Sequence, residues 1–190
     1  MSTTPQALVV FADPALQRSR LSRRVGNAAR ALDDVQVQDL YELYPDFYID
    51  ARAERHLLKG AQLLVFTFQL GWYGMPSLLK EWFDAVVKPE WARTDGGGCL
   101  QGKRCWAIVD CNGEQADYQP GGRHARPLED YLLPLAQTVR ACGMEWLAPH
   151  VYYGAERATP DEIDAHVAKL RKMLGAEMAR LPAPGGSHGT

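Results

Sequence analysis

The chain has 190 residues, of which 46% are hydrophobic and 23% charged, with a formal net charge of −2. That length and balance fit one globular domain and exclude disordered and fibrous architectures. A nucleic-acid partner is not expected either, because such binders usually carry a positive field. The four cysteines, Cys99, Cys105, Cys111 and Cys142, make no CxxC pair and read as thiols of a reducing compartment.

Ala7 to Ala12 is a β-rich apolar run stopped by Asp13-Pro14, the pattern of a strand. Leu16 to Leu32 carries Leu21, Val25, Ala28, Ala29 and Leu32 on one helical stripe. Val35 to Leu40 alternates with period two, as a half-covered strand does. Tyr41 to Ile49 reads as an aromatic loop around Pro45, and Ala51 to Gly60 as a short helix ending on glycine. Leu63 to Phe68 is a continuous apolar strand, the kind buried on both faces. Pro76 opens a helix whose buried stripe is Leu78, Leu79, Trp82, Phe83 and Val86.

The alternation continues through the second half. Asp95 to Gly98 is a flexible loop, and with no Lys-Ser/Thr after it the run is not a phosphate loop. Trp106 to Asp110 is a fourth strand, Asn112 to Arg126 a long polar loop, Leu128 to Cys142 a helix and Trp146 to Tyr152 a fifth strand. Thr159 to Leu181 is the last helix, with Thr159 and Glu162 at capping-box spacing and Pro160 at its first position. Residues 182–190 read as a flexible tail after a single domain at 1–181. The twenty uncharged residues from Gly60 to Leu79 are long enough to span a bilayer. Gln62, Thr67, Gln69, Gly71, Gly74 and Pro76 divide them instead into a strand, a loop and a helix start. The N-terminus lacks a basic n-region, so the expected location is cytoplasmic.

Five strands, each followed by a helix, predict an α/β doubly wound parallel sheet in the order 2-1-3-4-5, with helices on both faces. Ligands of such sheets sit beyond the carboxyl ends of the strands. Three segments fall there. Asp13 to Ser22 leads into a helix N-terminus, where Arg18, Ser19 and Ser22 are either phosphate donors or an ordinary cap. Phe68 to Pro76 is unusually aromatic for a loop, which suits a flat ligand ring, a protein interface, or both. Cys111 to His124 holds Gly113, which permits close backbone approach, and Tyr118 and His124, which can supply protons or stabilise developing charge. Cys111 reads as a buried thiol. His56, His150 and His166 lack metal-ligand spacing, and no metal is expected.

Asp39-Leu40-Tyr41, Tyr44-Pro45-Asp46-Phe47, Ile49-Asp50, Pro76 to Trp82 with Asp84, and the Gly113–Tyr118 loop resemble the flavodoxin-like NAD(P)H:quinone oxidoreductases, which include the DT-diaphorases. Within them the first three pieces are most similar to the ancillary subunits of glutathione-gated potassium-efflux systems. The resemblance covers about Leu8 to Ala155. It implies a non-covalent FMN, with FAD as the alternative, and NAD(P)H as electron donor. Arg18, Ser19 and Ser22 would hold the flavin phosphate. Gln69, Leu70, Gly71, Trp72, Tyr73, Asn112, Gly113 and Glu114 would line the ring. Tyr118 and His124 would take the family's catalytic positions in a ping-pong, two-electron transfer to a quinone. The resemblance also implies a homodimer and, for the ancillary subunits, a membrane potassium-efflux transporter as partner, which would place the chain peripherally at the inner membrane. The chain departs from the family at Asp13, where histidine is usual, at Ser22, where asparagine is common, at Gln69 and Gly71, which replace a proline and an aromatic, and at Ala85, where arginine is common. An aspartate beside a flavin phosphate repels it unless paired, and Arg18 is the obvious partner.

Overall fold

Strand β1 (Ala7–Ala12) is buried along its whole length, between β2 (Val35–Asp39) and β3 (Leu63–Gln69). The computed structural model describes residues 5–14, 19–92, 98 and 100–182. Arg18, residues 95–97 of the glycine run, Cys99 and residues 183–190 of the tail lie outside them. Next to β3 comes β4 (Arg104–Asp110), and beyond it β5 (Glu145–Trp146) and β6 (His150–Tyr152). Every ladder is parallel and the order is 2-1-3-4-5, as expected.

Successive strand residues face opposite ways, so β1 feeds two cores. Leu8, Val10 and Ala12 join Leu64, Phe66 and Phe68 under α3 (Ala51–Gly60), α4 (Ser77–Val86) and α5 (Leu133–Ala141). Ala7 and Val9 join Leu63, Val65, Trp106 and Ile108 under α1 (Arg20–Arg30) and α6 (Pro160–Met178). Thr159 caps α6 in the expected reciprocal capping box with Glu162.

Several boundaries differ from the sequence reading, four of them for a clear local reason. Ser19 is extended and its hydroxyl accepts the Ser22 N–H at 3.0 Å, so α1 begins at Arg20 rather than Leu16. Asp39 ends β2 and caps a single helical turn, α2 (Leu40–Leu43), where a loop was expected. The helix expected from Leu128 is two pieces. Pro134 lacks an N–H and its ring opposes the carbonyl four residues back, so 3-10 turns at Leu128–Leu132 precede α5.

The fifth strand is broken as well. Arg104 pairs Glu145 and Cys105 pairs Trp146, whereas Ile108 pairs His150. One more residue lies on the outer side of that interval than on β4, which is the signature of a bulge. Pro149 sits within it, and the Trp106 indole N–H closes it on the Ala148 carbonyl at 3.0 Å. The strands β1, β3 and β4 finish level with one another, because Ala12 pairs Phe68 and Gln69 pairs Asp110. That common edge gathers the loops that follow them.

Candidate active site

The crevice above this edge has an aromatic wall. Gly71 and Gly74 exchange two backbone hydrogen bonds at 3.1 and 3.0 Å, closing a two-residue turn over Trp72 and Tyr73. Both central residues lie in the left-handed region, at φ 46° and 64°. Such a turn normally takes Asn or Gly, and each aromatic there stores on the order of 1–3 kcal/mol of backbone strain. Trp72 is 98% exposed. Tyr73 turns back toward the crevice, its hydroxyl 3.3 Å from His124 Nδ1 and its ring 5.0 Å from that of Tyr131.

The loop after β4 builds the facing side. Glu114 and Asp117 cap a 3-10 turn at Gln115–Tyr118 that carries Tyr118 inward, where it is buried. His124 folds back onto it with ring centroids 4.4 Å apart. Its backbone is anchored twice, by its own N–H to the Asp117 carbonyl at 2.8 Å and by the Tyr131 hydroxyl donating to its carbonyl at 2.9 Å. Gly113 makes this packing possible: a Cβ there would stand 2.8 Å from Tyr118 Cε2 and 3.3 Å from His124 Nε2. Tyr153 completes the cluster, 5.8 Å from Tyr118.

Burial raises the Tyr118 phenol above its ordinary range, and the neighbouring Cys111 adds to that. Burial likewise pushes the Cys111 thiol up to about 11, with the Tyr118 hydrogen bond acting against it. Both groups therefore stay protonated near neutrality. Cys111 points its Sγ at the Gly113 carbonyl and is no thiolate nucleophile.

The floor is made of strand ends. The Leu70 N–H donates to the Asp110 carbonyl at 2.8 Å, and the Gln69 side-chain amide donates to Asn112 Oδ1 at 3.1 Å. Asp110 is 9% exposed, and its Oδ2 is buried with no hydrogen-bond partner among the described residues. Asp13, at the end of β1, is 2% exposed.

Gln69, Leu70, Gly71, Tyr73, Asn112, Gly113, Tyr118 and His124 thus come together at one edge. Ser19 caps α1 at the same end of the sheet. Ser22 is buried, so its side chain faces the fold's interior. Glu114 pairs with Arg157, and Trp72 stands in solvent. The sequence reading did not place Asp110, Tyr131 or Tyr153 in the site. An acid ending an apolar strand run was a usable signal for Asp110, whereas nothing local marks the two tyrosines. His150 and His166 stack 5.2 Å apart under α6, on the other core, while His56 is exposed on α3.

The residues fit a flat ring with polar edges. Open space lies beside Gly71 and Gly74, where an added Cβ meets nothing within 4 Å. Tyr73, Tyr118, His124 and Tyr131 cluster beside that turn. The sheet order and the crevice at its strand ends define the doubly wound α/β class, whose ligands sit beyond the carboxyl ends of the strands.

The chain belongs to the flavodoxin-like fold family, whose model matches residues 5–174. It is 37% identical over 186 residues to the glutathione-regulated potassium-efflux system ancillary protein KefG of Serratia proteamaculans, covering 98% of this chain and 99% of that one. General stress protein 14 of Treponema denticola, solved in complex with FMN, superposes with a TM-score of 0.81 at 27% identity, covering 94% of this chain and 100% of the other. A Streptomycin violaceusniger structure described as a thermophilic tryptophan halogenase gives 0.83 at 31%, covering 88% and 97%. The NADPH-quinone reductase of P. pentosaceus gives 0.80 at 21%, covering 88% and 96%, a likeness of fold alone. No helix among the described residues is long and apolar enough to cross a membrane.

Proposed function

We propose that this chain is a flavin-dependent NAD(P)H:quinone oxidoreductase that binds FMN in the crevice and works as the ancillary subunit of a potassium-efflux transporter. The observation that carries the enzymatic half is the Tyr118–His124 pair, packed beside Gly113 at the strand ends and reached by the Tyr73 hydroxyl. The FMN complex of the Treponema relative supports the cofactor, and the match to KefG over nearly the whole chain supports the partner.

Gln69, Leu70, Gly71, Tyr73, Asn112 and Gly113 would hold the ring, and the α1 N-terminus with Ser19 would take the phosphate. Bound flavin supplies two-electron exchange between NAD(P)H and a quinone. Tyr118 keeps its proton across the working pH range and donates a hydrogen bond to charge developing at the ring edge. His124 shares that role, held in register by its two backbone bonds and by Tyr73. If donor and acceptor occupied the same site in turn, the kinetics would be ping-pong.

Two copies close the site. Trp72 and Tyr73 are exposed at its rim, Leu43 is exposed at the end of α2 and Phe47 and Tyr48 just beyond it, and apolar area of this kind suits a homodimer interface. The protein is cytoplasmic and meets the inner membrane through its transporter. The purified protein should be yellow, and quinone should accelerate its oxidation of NAD(P)H. Colourless protein that gains no absorbance with FMN or FAD rejects the enzyme. Failure to co-purify with a membrane transporter rejects the ancillary role and leaves the enzyme standing.

A further inference from the structure

Helix α3 carries four basic side chains on one stripe. Arg52, Arg55, His56 and Lys59 fall at i, i+3, i+4 and i+7 and so share a face. Glu54, the acid of the same helix, is buried and its carboxylate is taken up by three donors. Trp91, from the segment after α4, lies across from the stripe, and the five residues line an open cleft of about 310 Å³.

Arg55 is the fixed member. Its Nε donates to the Val86 carbonyl at 2.8 Å and its Nη2 to the Ala85 carbonyl at 3.2 Å, while its guanidinium lies 5.2 Å from the centre of the Trp91 ring. Those two bonds satisfy carbonyls at the end of α4 and hold the guanidinium in place, with Nη1 uncommitted among the described residues. Arg52, His56 and Lys59 are exposed. Among the described residues no carboxylate pairs with any of the four, whereas the exposed cations Arg24, Lys80, Arg126 and Arg157 each have one. Glu90, next to Trp91 in the chain, has an interaction of its own and does not line the cleft. A chain of net charge −2 thus gathers unneutralised positive charge at one place. The end of α4 that Arg55 reaches is also the one farther from the Gly71–Gly74 turn, so this cleft is separate from the crevice.

We propose that the cleft is the docking site for an acidic segment of a partner protein, with carboxylates laid along the row from Arg52 to Lys59 and one of them taken by Arg55. The shape of the row selects this occupant. From Arg52 to Lys59 the helix rises about 10 Å. An extended chain with acids at alternate positions presents carboxylates about 7 Å apart on one face, so two or three of them follow the row. A single phosphate needs donors that converge on a point, and a flat bilayer surface does not enter a cleft whose inner cation is half-buried. Charge complementarity of this kind sets encounter rate and choice of partner more than raw affinity. The proposal goes beyond the ancillary reading: it gives the chemistry that a partner must present, and it holds whether or not that partner is a transporter.

The probe is a fluorescently labelled octapeptide of alternating glutamate and serine, titrated with the full-length chain and followed by anisotropy. It should bind saturably, and the same peptide with glutamine for glutamate should bind roughly tenfold more weakly or worse. Raising salt from about 20 mM to about 200 mM should weaken the glutamate peptide, because exposed ion pairs are screened. Arg52→Glu with Lys59→Glu should lose roughly tenfold or more in affinity while melting close to the parental temperature. Arg140→Glu with Lys172→Glu makes the same change in net charge at exposed positions of α5 and α6, and should keep the parental affinity. Should the first pair fail to fold, Arg52→Gln with Lys59→Gln carries the same test with a smaller loss.

No binding, equal binding of the glutamine peptide, or equal losses in the two charge-reversed pairs overturns the proposal. Pyrophosphate that displaces the peptide at equal concentration assigns the row to a small anion and overturns it as well. Sedimentation of the parent, but not of the first pair, with phosphatidylglycerol vesicles overturns it in favour of a membrane. A first pair that alters the number of copies in solution overturns it in favour of contact between copies. Co-purification with a transporter decides the ancillary reading separately.

Discussion

Two buried acids in this molecule have opposite surroundings. Glu54, on α3, is fully buried and its carboxylate receives the Gln38 amide at 2.9 Å, the Tyr44 hydroxyl at 2.7 Å and the Trp82 indole N–H at 2.9 Å. Asp110 is nearly as buried, yet one of its oxygens has no partner among the described residues. Glu54 ties β2, the α2–α3 segment and α4 into one core, and it leaves nothing for a ligand. Asp110 ends β4 at the edge where the site residues gather. A buried acid with its donors complete is a structural joint, and one left short has bonding capacity unused.

The largest expected effect breaks the first half of that contrast. Glu54→Ala strands three buried donors and should remove on the order of 3–5 kcal/mol of stability, measured by denaturant unfolding. Asp110→Asn should leave stability at neutral pH unchanged or raised. Equal losses in the two variants would erase the distinction.

On the crevice side, Tyr118→Phe combined with His124→Gln should lower turnover by roughly tenfold to a thousandfold while flavin stays bound, read by steady-state kinetics and flavin absorbance. Unchanged turnover rejects the role of the pair. Gly113→Ala tests the packing beneath it. The added methyl must displace Tyr118 or His124, so flavin affinity should drop by about tenfold with the fold intact by circular dichroism. Full affinity would mean that the close approach at Gly113 is incidental.

The smallest effect concerns the other face of the sheet. Burial, then His150 and then Lys169, lower His166 to about 4. The native imidazole stays neutral where the unfolded one gains a proton. Its contribution is present above about pH 6.5 and is lost as pH falls toward about 4. Burial, and then the Asp13 charge, push Asp110 up to about 7, so it acts in the opposite sense over much of this range and the two partly cancel in the parent chain. His166→Gln should remove the acid loss, a relative gain on the order of 1 kcal/mol near pH 5 in thermal melts. An unaltered acid slope would show that the His150–His166 stack does not set it.

The sequence carried most of the architecture and part of the site, and the residues show why. Apolar runs such as Ala7–Ala12 and Leu63–Phe68 announce strands because both faces are covered. Tyr118 and His124 lie six residues apart in one loop, so a local pattern could nominate them. Their stacking depends on Gly113 and on bonds from Asp117 and Tyr131 that spacing does not encode. Glu54 was hidden for the same reason. It lies in a helix rich in charge, and its three donors arrive from β2, from Tyr44 and from α4. The bulge opposite Trp106 and Ala107 was equally silent, since an interrupted ladder appears only when its partner strand is present. Pro134 was visible in the sequence, and the helical periodicity on either side of it masked the break that it imposes.

The central claim is that the crevice between Gly71–Gly74 and Asp110–His124 holds a flavin. Titration of the flavin-free chain with FMN tests it directly. Saturable fluorescence quenching at an equimolar endpoint, with the bound colour bleached by NAD(P)H and restored by quinone, is the predicted result. FMN that stays fully fluorescent at every protein concentration contradicts it.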